Sequence, residues 1–125
     1  MGRVVHFEIH VDDTDRASDF YTKTFGWEFN KWEGDPDNPY WLIKTGDEKS
    51  VGIDGGMLKR RDPAGSVYNT IDVDNLDNYI EKVKANGGEI VVEKMPIPGV
   101  GWLAYFKDTE GNIFGMMQVD GNAGK

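Results

Sequence analysis

Cysteine is absent from these 125 residues. That removes disulfides, thiolate metal sites and cysteine nucleophiles. Histidine occurs only twice, as His6 and His10. Basic residues are outnumbered, 14 against 22 acidic ones, for a formal net charge of −8. An acidic surface repels phosphate backbones, so no nucleic-acid partner is expected. No apolar run approaches the length of a membrane span. Residues 1–6 carry neither the apolar core of a signal peptide nor the Ser or Thr that N-myristoylation wants at position 6. The expectation is a cytoplasmic protein with no membrane partner. A G-x-S-x-G elbow is lacking, which argues against a serine hydrolase. The clusters Gly55-Gly56 and Gly99-Val100-Gly101 do not open helices after strands, so they do not signal a dinucleotide site.

What is present is patterned for a folded domain. Four Trp, five Tyr and six Phe supply large burial area per residue. Val5, Phe7, Ile9 and Val11 alternate with His6, Glu8, His10 and Asp12, the period of a strand with one apolar face. Asp13 or Thr14 can cap a helix in which Ala17, Phe20, Tyr21 and Phe25 form the core face, ended by Gly26. Strands follow around Trp27–Lys31, Tyr40–Thr45 and the glycine-rich Ser50–Leu58. The pattern then restarts. A strand over Val67–Val73, a helix capped by Asp74 or Asn75 and ended by Asn86-Gly87-Gly88, and strands at 90–93, 102–107 and 113–119 complete it. A shift of 62 positions superposes Ile9 on Ile71, Val11 on Val73, Asp12 on Asp74 and Gly26 on Gly88. An internal repeat of this kind is a fold-level signal. The fold class expected is α+β: two βαβββ modules forming a curved mixed sheet with a concave cavity. The organisation expected is one domain: module one at about 3–58, a linker at 59–65, module two at about 66–120 and a frayed tail at 121–125.

Val5 to Asp13, followed by Arg16, Phe20-Tyr21 and Phe25-Gly26-Trp27, resembles the opening of a glyoxalase-like protein. Asp108-Thr109-Glu110-Gly111-Asn112 resembles the family's final turn, with Thr109 in place of its proline. The chain is thus similar to the vicinal oxygen chelate superfamily, which includes glyoxalases, bleomycin-resistance proteins and extradiol dioxygenases. Fold does not fix chemistry; members include lyases, epimerases, dioxygenases, thiol transferases and drug-sequestering proteins.

The resemblance implies four metal-ligand positions, usually filled by His, Glu or Gln. They fall on His6, near Gly52, on Tyr68 and on Gly115. One of four is a good ligand, whereas a catalytic zinc usually keeps three. The cofactor expected is therefore none, with a divalent ion (Ni, Zn, Fe or Mn) on His6 as the alternative. Glu8 and His10 share the face of His6, at a spacing of roughly 7 Å for residues two apart on a strand. Asp54 or Asp72 could approach from elsewhere. His6 and Glu8 are the candidate acid–base pair.

Tyr68, Trp41, Trp102 and Met117 are candidate ligand contacts on the concave wall, with packing as the alternative for the aromatics. Gly52 to Gly56 offer floor space for a ligand. Lys59, Arg60 and Arg61 are either a solvated linker or an anion contact. The function expected is binding of a small hydrophobic or aromatic molecule without a tightly held metal, by a homodimer. The alternative is a lyase or isomerase acting on a small carbonyl compound.

Overall fold

A computed structural model describes residues 2–125. The elements run β1 (Arg3–Val11), α1 (Thr14–Phe25), β2 (Glu28–Trp32), β3 (Tyr40–Lys44), β4 (Gly55–Lys59), β5 (Val67–Asp72), α2 (Leu76–Ala85), β6 (Glu89–Ile97), β7 (Gly101–Lys107) and β8 (Ile113–Val119). This is β-α-β-β-β twice, as the repeat predicts. The chain divides into two compact units, His6–Val67 and Tyr68–Lys125 together with residues 2–5.

In the first unit the strands lie in the order β2-β3-β4-β1. β1 and β4 are parallel, and the other neighbours are antiparallel. Asp13 caps α1 by accepting from the Arg16 amide, and Gly26 ends it in the left-handed region at φ 76°. Ile9, Ile43 and Met57 form a buried core, joined by Ala17 and Tyr21 of α1 and by Phe7, Trp27 and Trp41. Each fully buried aliphatic side chain contributes about 1.5–3 kcal/mol.

The second unit repeats this plan, β5-β8-β7-β6, with β5 and β8 parallel. Asn75 caps α2 through the Asn78 amide. Val73, Leu76, Ile80, Ala104 and Met116 make its core, with Trp102 and Phe106 packed against it.

Four expectations change. Phe20 and Phe25 are not core; they are 57% and 62% exposed, and only Tyr21 of that trio turns inward, stacked 4.7 Å from Trp27. Helical periodicity marks a stripe, but this helix meets its sheet along a narrower line than the stripe is wide. Residues 50–54 are not strand; β4 begins at Gly55. β6 extends to Ile97, past the expected stop at 93, with register shifts between Ile90 and Val92 and between Val92 and Met95. The tail does not fray. Ala123 is fully buried, its carbonyl accepts from Gly99, and Gly124 lies against Pro98.

Candidate functional site

Strand alternation decides which side chains can meet. Ile9 pairs with Met57 and Met57 with Trp41, so these three share the helix-covered face. Glu8 pairs with Gly56 and Gly56 with Leu42, which places them on the opposite face. His6, His10, Tyr40 and Trp32 share that second face by the same parity.

On it, four polar side chains form one hydrogen-bonded chain. His6 Nε2 lies 2.9 Å from the Tyr40 hydroxyl. Tyr40 donates to Glu8 Oε2 at 3.3 Å. Glu8 Oε1 lies 3.0 Å from His10 Nε2. Glu8 is only 7% exposed. A carboxylate this buried is tolerable only when its oxygens are satisfied, and here both are.

Burial lowers the His6 pKa, against the opposing pull of the Glu8 and Asp54 charges, so the ring is neutral at pH 7. Burial also raises the Tyr40 pKa far above that of an ordinary phenol, assisted by the Glu8 charge and hydrogen bond. Tyr40 therefore stays protonated.

Gly56 makes the chain geometrically feasible. A Cβ there would sit 1.8 Å from the Tyr40 hydroxyl oxygen, so the phenol passes across the strand through the space of the missing side chain. The floor space expected from the glycine run is, at Gly56, filled by Tyr40. Trp32 packs edge-on against Tyr40, with ring centroids 6.5 Å apart. Leu42, in register with Gly56, stays 46% exposed and offers an apolar surface.

The candidate residues separate. His6 and Glu8 do not hydrogen-bond each other directly; Tyr40 joins them. Trp41 packs with the first core, and Trp102 with the second, where its indole nitrogen donates to Asp120. Both tryptophans therefore lie on helix-covered faces and are corrected from ligand wall to packing. Tyr68 and Met117 lie in the second unit on the face away from α2, since Thr70 pairs with Gly115 and Asp72 with Met117. Tyr68 meets Tyr105 edge-on at 5.8 Å.

Arg60 is held by Asp12 and the Gly65 carbonyl, and Arg61 by Asn38. Both arginines of the run are thus tied down within their own unit. Arg60, His10, Arg16, Phe20 and Val67 line a cavity of about 470 Å³ on the first unit. Sequence reasoning missed Tyr40. Only the pairing of β3 with β4 reveals it, because nothing in the chain itself marks which side chain reaches across Gly56.

The donor set for a divalent ion does not assemble from these residues. Among the described residues, no three His, Asp or Glu side chains converge. His6 Nε2 is committed to Tyr40. The β1–β4 register, carried back one residue from Phe7 and Gly55, sets Asp54 rather than Gly52 beside His6. The Asp54 carboxylate accepts from the amide and hydroxyl of Thr45. Gly115 supplies no ligand atom, and a Cβ there would stand 3.3 Å from Thr70 Oγ1.

The family described as Bleomycin resistance protein-like N-terminal matches residues 3–38. A glyoxylase-like domain-containing protein of Didymella fabae is 33% identical over 121 residues, 89% of each chain. The chain belongs to the glyoxalase-like family. It is a member of the vicinal oxygen chelate superfamily. A lactoylglutathione lyase of Escherichia coli O157:H7 is 28% identical over 117 residues, 87% of each chain. The crystal structure of methylmalonyl-CoA epimerase from Mycobacterium tuberculosis shares the fold, with a TM-score of 0.70 at 15% identity. It covers 94% of this glyoxalase-like chain and 87% of the epimerase.

Proposed function

We infer that this glyoxalase-like protein binds a small molecule on the His6–Tyr40–Glu8–His10 face without a tightly held divalent metal. The observation that carries the reading is the engagement of His6 Nε2 by Tyr40, itself backed by buried Glu8. A metal on Nε2 would have to displace that hydrogen bond, which contributes about 0.5–1.5 kcal/mol, while the phenol keeps Glu8. Exposed Leu42 and the edge of Trp32 favour an apolar or aromatic portion in the ligand. Tyr68 and Met117, on the face of the second unit away from α2, remain proposed ligand contacts of that unit by itself. The resemblance also favours a cytoplasmic homodimer, for which light scattering should give twice 14.1 kDa.

Metal analysis of the purified protein is the test. Far less than one equivalent of nickel, zinc, iron or manganese is expected. Near-stoichiometric metal that disappears in His6→Ala would overturn the reading.

A second reading is a lyase or isomerase acting on a small carbonyl compound. The linked imidazole, phenol and carboxylate favour it, because such a set can hold and move a proton. Turnover of an enolisable carbonyl compound, lost in Glu8→Gln, would establish it over simple binding.

A further inference from the structure

The Tyr40 hydroxyl has one proton and two partners, His6 Nε2 at 2.9 Å and Glu8 Oε2 at 3.3 Å. An ionised carboxylate only accepts hydrogen bonds. Tyr40 therefore donates to Glu8, and its oxygen must accept from His6. The reverse orientation would need a protonated Glu8 to donate to the phenol oxygen. The single proton of a neutral His6 thus sits on Nε2, and the lone pair sits on Nδ1.

Nδ1 of His6 has no hydrogen-bond partner among the described residues, and no side-chain nitrogen or oxygen there is both buried and unpartnered. The lone pair consequently reaches solvent. A histidine held in one tautomer, with its bare nitrogen exposed, is a directional acceptor.

We propose that His6 Nδ1 is the ligand-recognising atom of this face, accepting an N–H or O–H from the ligand, with Tyr40 and Glu8 as positioning residues that lock the tautomer. The inference rests on the metal-independent reading above. It explains how a family ligand position can be kept while its chemistry changes. The nitrogen that faces the protein is capped, and the other one is presented outward. It also limits the ligand. The charge of Glu8 and the nearby Asp54 disfavour an anion beside this ring, so the group recognised is a neutral or cationic donor. The acidic balance of the whole chain acts in the same direction.

Long-range proton–nitrogen NMR on histidine-labelled protein tests this directly. Two histidines give two ring systems, and His6→Gln assigns them. Near neutral pH, His6 should show a protonated Nε2 and a bare Nδ1. In Tyr40→Phe, or in Glu8→Gln should the first variant not fold, it should relax to a mixture of tautomers. Methylammonium should shift the Nδ1 resonance, and acetate should not.

A ring protonated on Nδ1, a tautomer unchanged in a folded Tyr40→Phe, or a response to acetate alone would overturn the proposal. Stoichiometric metal on Nε2 would overturn both this inference and the reading beneath it. A wrong tautomer in metal-free protein would overturn this inference alone.

Discussion

Tyr40 and Gly56 illustrate how a site residue depends on a neighbour that contributes nothing but space. Gly56→Ala would press a methyl group into the Tyr40 hydroxyl, at an ideal separation of 1.8 Å. The phenol must move, and Glu8 loses a donor. The expected cost is about 1–3 kcal/mol, from overpacking and a less satisfied carboxylate. Urea denaturation measures it. In a Tyr40→Ala background the same Gly56→Ala change should cost much less, because the clash is gone. A double-mutant cycle that found simple additivity would show that the two positions do not interact.

At the scale of elements, most boundaries are local matters. Side-chain chemistry announces the helix starts, and of the two candidates at each, Asp13 rather than Thr14 and Asn75 rather than Asp74 form the caps. Gly26 ends α1 because its φ of 76° is one that side chains with a Cβ adopt at a cost. Gly26→Ala should lower stability by about 1 kcal/mol, read as a shift in the urea midpoint, without altering the hydrogen-bonded chain around Glu8. An unchanged midpoint would mean that the turn relaxes to another conformation. The errors lie where local pattern and packing diverge. Phe20 and Phe25 carry a helical period yet stay mostly exposed, and neither belongs to the core cluster that Ala17 and Tyr21 join. Trp41 and Trp102 read as wall residues, but strand parity turns them towards the helices.

For the molecule as a whole, the buried neutral histidine has a consequence for pH dependence. The folded-state pKa of His6 is depressed by burial relative to the unfolded chain. The unfolded state therefore binds the proton more readily. The stabilising contribution is complete above the unfolded value of about 6.5, and is lost as pH falls through the lower folded value. Wild-type stability should decline from pH 7.5 to pH 5 more steeply than that of His6→Gln, as followed by denaturant midpoints. Parallel declines in the two proteins would assign the acid sensitivity to other groups. No helix among the described residues is long and apolar enough to cross a membrane.

The sequence by itself determined the two βαβββ modules, the helix caps, the family and the shared face of His6, Glu8 and His10. These follow from period, turn chemistry and recurrence over 62 positions, all of which are written along the chain. Only the tertiary structure decided which side chains meet on that face. Tyr40 reaches Glu8 because β3 lies against β4 in one register, and because the residue it crosses is Gly56. Register joins residues far apart in sequence, and a slip of one position would turn Tyr40 to the other face. The metal question turns on the same fact. Sequence shows which of the family's ligand positions lack a ligand side chain, whereas the structure shows that the remaining histidine is hydrogen-bonded to Tyr40.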